Sequence, residues 1–437
     1  MESLVYMEYA VAGIIRYWLM NSDYKQLIAD RVEVSTPLNS WKKVTEGAFL
    51  YNKGIDPYCG DMFHETPIGL FIFNFMLSNC SQWLGIIFIL CDLLTAHLLY
   101  RTACNFMREL FQRQSIEKVN YAKDSAALIL KDADLKLSPV YVASAYLFNP
   151  YVIFNCVGQT TTVFTNLCLA AAFLSMITGR RLPCCLSLAL ATLQSLYPVV
   201  LIVPAAIYIA RRKTDVLLGQ KSSQRWSVLL TVVTFLAALG FLLCISAQLA
   251  GNWAFLHSTY GFILNVPDLR PNIGLFWYFF TEMFEHFRLL FICAFQINAT
   301  LLYLVPLTLR LHTEPMLLAA SLTALMAIFK SYPCLGDVGF YLALLPMWKH
   351  LFNYMQQGFI VGCFFLITSV LGPIVWHLWI YSRSANANFY FGVTLAFATA
   401  QIFLVTDILF AYIKREFSLY NGLRREINGK PAKLVLE

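Results

Sequence analysis

The sequence predicts an all-α polytopic membrane protein with about twelve transmembrane helices. Hydrophobic residues make up 59% of the 437 residues and charged residues only 13%, whereas a soluble chain has about 25% charged residues. Apolar segments of about 20 residues, the length that crosses a bilayer as a helix, recur from end to end. Helices are favoured because every backbone polar group must be satisfied inside lipid, and the polar gaps are too short for a soluble domain.

The apolar segments predict the spans in order along the chain. The first carries Glu8 and Arg16 but no basic leader and no small-residue cleavage site, so it predicts an uncleaved anchor. The second segment must cross the membrane only once in total if the chain is to have about twelve crossings, for example because its first half is re-entrant. Pro198 and Pro204 predict kinked or half-length helices in the fifth and sixth spans. The predicted spans are 4–20, 67–104, 137–157, 162–178, 184–197, 198–211, 227–247, 288–310, 315–331, 337–352, 357–380 and 388–413.

Basic residues cluster in three places, which the positive-inside rule puts in the cytosol. They are Arg101, Arg108 and Arg113 after the second span, Arg211, Arg212, Lys213, Lys221 and Arg225 after the sixth, and Lys414, Arg415, Arg424, Arg425, Lys430 and Lys433 in the tail 414–437. Both termini are then cytosolic. The segments 21–66, 248–287, 332–336 and 381–387 face the opposite side, which makes 1–437 one membrane domain.

Composition excludes some functions and leaves others open. The net charge of +7 belongs to these loops, so it does not indicate a nucleic-acid partner. Most of the twelve cysteines lie in apolar spans, where cysteine acts as a small hydrophobe. A bridge between Cys59 and Cys334 in predicted loops stays open. Asp92, His97 and Asp407 inside spans leave a transporter or flippase as one class of function.

The most informative stretch is 267–287. Prolines and a glycine give way to a dense aromatic run, including Trp277, that then carries Glu282, Glu285 and His286. Aromatic side chains that have an apolar ring and one polar edge are typical of a membrane–water boundary. On one helix the three polar residues would fall at i, i+3 and i+4 and share a face, a spacing that could ligate a metal. The aromatic content favours an interfacial helix with a polar stripe, able to line a headgroup pocket, over a metal site.

A second acidic motif ends the first long polar loop. Asp61, His64 and Glu65 are close enough in sequence to meet a metal or a polyol. Thr66 and Pro67 are typical of a helix cap and a first helical residue. A plain turn before a helix is therefore the alternative for the acidic residues.

Two asparagines follow an aromatic segment in the short loop near the C-terminus. Asn386 and Asn388 offer paired donors and acceptors that suit sugar hydroxyls or phosphate. A simple helix cap explains them equally well, and the residues alone leave both interpretations open. Lys330, at the end of a span, is explained by snorkelling of its ammonium group towards water.

Several of these motifs resemble a known family. The matching segments run from Arg31 to the C-terminus and are longer and more specific than shared hydropathy would give. They are FHETP at 63–67, LFNPY at 147–151, QSLYP at 194–198, the whole of 265–298, FKSYP at 329–333, GDV at 336–338, WHLWIY at 376–381 and SANAN at 384–388. On these segments the chain is identified as a member of the family of the U subunit of the glycosylphosphatidylinositol (GPI) transamidase.

That family is similar to the GT-C type of lipid-linked mannosyltransferases, which implies a GT-C-like fold with a lumenal first loop. Those enzymes carry an acidic catalytic motif in that loop. The corresponding segment here, 34–41, reads VSTPLNSW and contains no acidic pair, and Glu33 and Glu46 only flank it. Glycosyl transfer needs a carboxylate to deprotonate the acceptor or to hold a metal. The resemblance therefore implies a scaffold that binds a sugar lipid, with an active mannosyltransferase as the alternative.

The resemblance implies a non-catalytic subunit of a complex in the endoplasmic reticulum membrane. Its expected partners are a catalytic cysteine-protease-like subunit, membrane scaffold subunits and the GPI lipid, without a cofactor. The family's SANxN asparagines contact the GPI headgroup, which carries over to Asn386 and Asn388. The residues themselves add Trp277, Glu282 and His286, together with Asp61 and Glu65, as predicted lining of a lumenal pocket.

Overall fold

The computed structural model describes residues 2–216, 221–423, 426–427 and 430–431, with side chains described over 5–212 and 224–423. The described chain is helical apart from two antiparallel two-residue strands, β1 (Glu426–Ile427) and β2 (Lys430–Pro431), in the tail. The predicted all-α class is therefore confirmed.

Each predicted span coincides with one helix or with consecutive helices. The α-helices are α1 (Glu2–Met20), α2 (Tyr24–Ala29), α3 (Trp41–Asn52), α4 (Pro67–Asn79), α5 (Leu84–Glu117), α6 (Asp132–Leu147), α7 (Pro150–Val157), α8 (Thr162–Ile177), α9 (Arg181–Ser195), α10 (Ile202–Val216), α11 (Lys221–Ala250), α12 (Phe262–Asn265), α13 (Phe276–Glu282), α14 (Glu285–Ile297), α15 (Leu304–Leu311), α16 (Pro315–Phe329), α17 (Leu335–Leu344), α18 (Gly358–Ile380) and α19 (Ala387–Asn421). Short 3₁₀ helices cover Pro57–Cys59, Ser81–Trp83, Lys118–Asn120, Lys123–Leu128, Tyr197–Leu201 and Leu345–Tyr354, and π-helical turns cover His257–Gly261 and Asn298–Leu302.

Five helical segments of the described chain are long and apolar enough to cross a membrane. They are Ser81–Asn120, Gln224–Ala250, Glu285–Leu311, Gly358–Ile380 and Ala387–Asn421, and a sixth follows if α6 and α7, which are bent by 47°, form one span. Shorter apolar helices, α4, α8 and α16, stand between them. The described chain is thus all-helical in class, with five or six candidate membrane spans interleaved with shorter apolar helices.

Local sequence explains where the helices break. Asn149 caps α7 by accepting a hydrogen bond from the Tyr151 amide at 3.0 Å, and Pro150 occupies the first helical position, so α6 cannot continue. The predicted kink at Pro198 is confirmed by the 3₁₀ turn Tyr197–Leu201 between α9 and α10. Pro204 instead lies in the first turn of α10, where its missing amide hydrogen costs no hydrogen bond.

A buried ion pair ties α1 to the core. The Arg16 guanidinium donates to the Asp92 carboxylate at 2.7 Å and to the Leu147 carbonyl at 2.9 Å, and the Tyr146 hydroxyl donates to the same carboxylate at 2.8 Å. Both charged side chains are fully buried. The group joins α1, α5 and α6, so Asp92 holds three helices together.

The connecting segments gather into two separate groups. We call the first group the aromatic end; its segments are 21–66, 158–161, 251–287, 330–336 and 381–387. Hydrogen bonds join them: the Thr161 amide donates to the Asn39 carbonyl (3.0 Å), the Leu335 amide to the Glu33 carbonyl (2.9 Å) and the Tyr332 hydroxyl to the Asp268 carbonyl (2.9 Å).

The second group, the ion-pair end, comprises segments 118–131, 178–180, 311–314 and 354–357 with the last turns of α5, α10 and α19. Ion pairs and charge-assisted hydrogen bonds hold it together. The Arg113 guanidinium pairs with the Glu314 carboxylate, Arg211 donates to the Thr313 carbonyl, and Arg415 donates to the Leu128 carbonyl at 2.8 Å. Three of the loops predicted to be cytosolic therefore meet at this end.

Candidate functional site

The stretch 267–287 is not one continuous helix. Residues 267–275 are non-helical, α13 ends at Glu282, and Met283 and Phe284 are extended before α14 begins. The prediction that Glu282, Glu285 and His286 share a helical face is therefore wrong. Both Glu285 and His286 are exposed at the start of α14, and no group of three metal-ligating side chains occurs within the described residues.

The apolar side of α13 packs against protein, and the prediction of an interfacial helix stays a prediction. Phe276, Trp277 and Phe280 are each at most 3% exposed. Phe276 and Phe280 pack with Phe262 and Tyr332 in one apolar cluster. The side of this seven-residue helix that carries Phe276 and Phe280 is held by contacts with the surrounding protein.

Trp277 lies in a group of rings that we call the aromatic cluster. Its members are Trp277, Tyr278, Trp376, Trp379, Tyr390 and Phe391. Trp277 stacks on Trp379 with ring centroids 6.3 Å apart, and Tyr278 stacks on Phe391 at 4.4 Å. Such ring pairs stabilise by about 1 kcal/mol each beyond their buried area. The cluster joins α13 to the facing ends of α18 and α19.

The two asparagines border this cluster. The Asn386 side chain accepts hydrogen bonds from the amides of Asn388 (3.1 Å) and Phe389 (3.3 Å), which confirms the helix-cap interpretation for Asn386. The Asn388 side-chain oxygen accepts a hydrogen bond from the Tyr278 hydroxyl at 2.5 Å. Both asparagines are exposed, and the structure records no protein partner for either side-chain NH₂ group within the described chain.

Glu282 joins the same site through Tyr278. Desolvation and the neighbouring Glu282 carboxylate raise the pKa of the Tyr278 hydroxyl, which remains protonated and donates to Asn388. The structure thus brings together Trp277, Glu282, Asn386 and Asn388 among the predicted site residues. It leaves His286 on α14, beyond the break in the helix. Tyr278 was not among the predicted site residues, although the aromatic run contains it.

Two polar atoms inside the cluster lack a hydrogen bond. The Trp277 Nε1 atom and the Tyr390 hydroxyl are buried without a partner in the described chain. The Tyr390 hydroxyl approaches the Glu33 carboxylate without hydrogen-bond geometry, and Glu33 is held by a two-pronged ion pair with Arg31 at 2.9 and 3.1 Å. Because buried donors are normally satisfied, these atoms mark places where a ligand's oxygen atoms would be stabilised.

Asp61 and Glu65 do not belong to the aromatic cluster and differ from each other. Asp61 is exposed, whereas Glu65 is buried beside the side chains of Thr161 and Gln194. Burial raises the pKa of Glu65 to about 7, and its Oε1 atom has no hydrogen bond of standard geometry in the described chain. The two acids therefore cannot form one site, although Glu65 still borders a polar region.

The remaining residues of this motif have structural roles. Thr66 caps α4 by accepting from the Gly69 amide at 3.3 Å, and Pro67 is the first helical residue, as predicted. His64 stacks on Phe262 with centroids 3.5 Å apart, and its Nδ1 atom lies 2.8 Å from the Ser258 carbonyl oxygen. Burial lowers the pKa of His64, which favours the neutral imidazole.

A polar cavity, which the sequence did not predict, lies beyond Thr161 and Gln194. It measures about 40 Å³ and continues into a second space of about 30 Å³ past Thr165, Ser195, Tyr197, Lys330 and Asp337. Its lining is Thr36, Leu38, Asn39, Thr161, Thr162, Thr165, Gln194, Ser195, Tyr197, Lys330, Tyr332 and Asp337. Segments from five parts of the chain meet here, which explains why no local pattern signals it.

Lys330 faces this cavity with a partner, so the snorkelling interpretation is wrong. Its ammonium group lies 2.5 Å from the Asp337 carboxylate, and both side chains are about one-seventh exposed. Asp337 also accepts a hydrogen bond from the Cys334 amide at 2.9 Å. Cys334 is buried and Cys59 is exposed, and both are free thiols, so the open question of a bridge between them is answered against it.

The acids and the histidine that suggested transport have other partners. Asp92 is bound to Arg16 and Tyr146. The Asp407 carboxylate accepts from the amides of Gln356 (3.0 Å) and Gln357 (2.8 Å) and so holds the turn that precedes α18. His97 packs edge-on against Tyr9 with ring centroids 6.5 Å apart. These contacts give each residue a structural role.

The fold and the site define a class: a helical protein with several candidate membrane spans and with aromatic rings, amides and a polar cavity collected at one end. A family model described as GPI transamidase subunit PIG-U matches residues 10–397. The chain is 41% identical over 431 residues to the GPI-anchor transamidase component PIGU of Homo sapiens, and likewise to that of Mus musculus, with 98% of each chain covered. It is 29% identical over 402 residues to the GPI transamidase component GAB1 of Saccharomyces cerevisiae, with 91% of each covered. The chain belongs to the PIG-U family of GPI transamidase subunits.

Proposed function

We propose that this subunit recognises the GPI lipid and helps to present it for attachment to the C-terminus of precursor proteins, while another subunit performs the transamidation. The observation that carries the proposal is the convergence of Asn386, Asn388, Tyr278 and Glu282 beside the aromatic cluster. This arrangement offers hydrogen bonds, a carboxylate and ring faces, which are the means of binding a glycolipid headgroup.

Each group matches a part of such a headgroup. The free NH₂ groups of Asn386 and Asn388 can donate to phosphate or sugar oxygens. The exposed carboxylate of Glu282 suits the ammonium of an ethanolamine. The Trp277 Nε1 atom, buried without a protein partner, can donate to an oxygen that enters the aromatic cluster.

We place the aromatic end in the lumen of the endoplasmic reticulum and both termini in the cytosol, with about twelve crossings. The segregation of the connecting segments supports this topology, because segments 21–66, 158–161, 251–287 and 330–336 hydrogen-bond to one another within the described chain, whereas ion pairs hold the ion-pair end together. The helices α1, α8, α9, α10, α16 and α17 then complete the count. Only neighbours that satisfy their ends allow short or broken helices to cross.

The first loop supports a binding role over sugar transfer. In place of an acidic pair, the segment 34–41 contributes Thr36 and Asn39 to the polar cavity. Asn39 is engaged by the Thr36 amide at 2.6 Å and donates to Thr162 at 3.0 Å. These are hydrogen-bonding groups without a base. Transfer of mannose from a dolichol-linked donor by the purified chain would contradict this proposal.

The expected partners are the catalytic cysteine-protease-like subunit and the membrane scaffold subunits. Apolar side chains such as Phe359, Leu366 and Leu289 are more than two-thirds exposed along α18 and α14. In a membrane these surfaces are covered by lipid or by the helices of partner subunits. The proposal includes residence of the assembled complex in the endoplasmic reticulum membrane.

The proposal is tested with Asn388→Ala combined with Asn386→Ser. Serine retains the cap of α19, so the double variant loses ligand contacts and keeps the helix end. Loss of two hydrogen bonds predicts about tenfold weaker use of limiting glycolipid in a GPI-attachment assay. Assembly, measured by co-purification of the other subunits, should be unchanged.

The matched control is Asn105→Ala with Asn421→Ala. These side chains donate only to carbonyls of their own helices, those of Arg101 and Phe417, away from the aromatic end. The control should attach GPI normally. Normal attachment by the Asn386 and Asn388 double variant would count against the site.

A further inference from the structure

An apolar cleft lies between two of the candidate spans, near the ion-pair end. It measures about 220 Å³ and is formed by α15 and α19. An apolar cavity of about 150 Å³ holds a benzene molecule, so this cleft has room for a segment of an acyl chain. Its lining residues are Leu307, Arg310, Leu311, Thr406, Leu409, Phe410 and Ile413.

The interior of the cleft offers no hydrogen bond to a polar ligand. The Thr406 hydroxyl is engaged by carbonyls of its own helix, those of Ile402 and Phe403, both at 3.0 Å. Apart from Thr406 and Arg310, the lining residues are aliphatic or aromatic. Phe403, one turn before Thr406 on α19, is 41% exposed and continues the apolar surface away from the ion-pair end. A hydrocarbon chain therefore fits the cleft and the surface that leads from it.

Two cations border this cleft. Arg310 lines it and is exposed, and Lys414 is partly buried one turn beyond Phe410, on the same face of α19. The structure records no hydrogen bond and no ion pair for either charged group within the described chain. Glu314, four residues after Arg310, is paired with Arg113. The two positive charges are thus left for a negative group outside the described chain.

Helix length places both cations at the depth of lipid headgroups. Because α19 begins at Ala387 in the aromatic end, Phe410 lies about 35 Å and Lys414 about 40 Å along its axis. About 38 Å of helix likewise separates Glu285 from Arg310. The hydrocarbon core of a bilayer is about 30 Å thick, and about 40–45 Å with its headgroups. The apolar cleft therefore reaches acyl chains of the leaflet at the ion-pair end, and its cations reach the headgroups.

We propose that the cleft binds an anionic glycerophospholipid, with one acyl chain between α15 and α19 and the headgroup against Arg310 and Lys414. Basic groups near the membrane surface attract anionic headgroups, and basic pockets between spanning helices hold them. A helix of a partner subunit, about 10 Å across, is too wide to enter a cleft of this volume. The site is separate from the glycolipid site at the aromatic end, and the inference does not rest on the proposed function.

The test measures binding of phosphatidylserine with one fluorescent acyl chain to the assembled complex in a non-ionic detergent. Arg310→Gln combined with Lys414→Gln should weaken binding about tenfold, because two basic contacts to the anionic headgroup are lost. Binding of the matching phosphatidylcholine, which carries no net charge, should change by less than about twofold.

A second variant tests the acyl chain and keeps the charges. Thr406 is exposed and its hydroxyl bonds only to its own helix, so Thr406→Phe fills the cleft without breaking a contact between helices. This variant should weaken binding of both lipids by about fivefold or more, because the ring occupies the space of several methylene groups.

The matched control is Arg108→Gln with Lys118→Gln. Both residues are exposed on the same half of the molecule, and neither lines the cleft. The control should bind phosphatidylserine within about twofold of the natural chain. Equal loss in the control and in the Arg310 and Lys414 variant would overturn the proposal, because the charge of the whole surface would then explain the binding.

Two other outcomes would also overturn it. Normal phosphatidylserine binding by both the charge variant and Thr406→Phe would place the lipid outside the cleft. Loss of a co-purifying subunit from the charge variant, with lipid affinity retained, would make Arg310 and Lys414 contacts for an acidic partner protein.

Discussion

The ion-pair end and the aromatic end use polar side chains in opposite ways. At the ion-pair end charged groups are matched to protein groups: Arg113 pairs with Glu314, and Asp407 accepts from two backbone amides. At the aromatic end the Trp277 and Tyr390 donors are buried without partners, and Glu65 keeps an unpaired oxygen. Unsatisfied buried groups cost stability, so those beside the aromatic cluster indicate a place where a ligand completes the structure.

The difference teaches that polarity alone does not locate a site in this protein. Asp92, Asp407 and His97 are intramembrane or nearly so, and each is engaged by neighbouring side chains or amides. The groups that remain available are less conspicuous in the sequence: amides, hydroxyls and an indole N–H. The aromatic end differs from the ion-pair end in whether its buried polar groups have hydrogen-bond partners, and not in whether they are charged.

The largest effect should come from the ion-pair end. Asp407→Ala leaves the amides of Gln356 and Gln357 without an acceptor, and Asp407 itself is 5% exposed. We expect a loss of about 3 kcal/mol in unfolding free energy, seen as a lower thermal midpoint of the purified complex. Headgroup affinity per folded molecule should not change. Asp132→Ala, at an exposed site on α6, serves as control. Weakened headgroup affinity in the folded Asp407→Ala protein would contradict the distinction between the ion-pair end and the aromatic end.

An effect of at most the same size, which depends on pH, is expected at Glu65. Burial raises its folded-state pKa from 4.5 to about 7, so the folded chain holds this proton more tightly than the unfolded chain. Stability from the protonated group is present below pH 4.5 and is lost as the pH rises to about 7. Glu65→Gln should therefore be more stable than the natural chain above pH 7, by up to about 3 kcal/mol.

The pH dependence distinguishes this effect from simple repacking. The stability gap between Glu65→Gln and the natural chain should grow between pH 5 and 7 and then level off, in thermal unfolding of the complex. Glu46→Gln, at an exposed position, should show no such trend. A gap that is the same at every pH would mean that Glu65 is not a buried, titrating carboxyl.

The smallest change in stability is expected at Trp277. Trp277→Phe keeps a ring against Trp379 and removes a buried N–H that has no partner in the described chain. Unfolding free energy should shift by no more than about 1 kcal/mol, while glycolipid affinity falls about threefold through the lost donor. Trp83→Phe, at a side chain that is 61% exposed, controls for loss of an indole. Unchanged affinity would place the ligand outside the aromatic cluster.

Sequence predicted the helices well because their signals are local. Length and hydropathy locate α18 and α19, and Asn149 with Pro150 or Thr66 with Pro67 locate helix starts. The break after Glu282 was missed because neither proline nor glycine stands at Met283 or Phe284. The prediction that Glu282 and His286 share a helical face was wrong for the same reason.

Only part of the candidate site could be predicted from the sequence. Asn386, Asn388 and Trp277 stand in conspicuous local motifs, and the structure places them in or beside the aromatic cluster. The polar cavity depends on segments some three hundred residues apart, such as those of Thr36 and Asp337. No spacing rule joins such positions, because the fold alone brings them together.

The most direct test of the central claim is the affinity of the assembled complex for intact GPI, measured with natural chain and with the Asn386→Ser, Asn388→Ala double variant. The account predicts about tenfold weaker binding by the variant, with the same subunits co-purifying in the same amounts. Equal affinity of the two complexes for GPI would contradict the claim that this subunit recognises the glycolipid at its aromatic end.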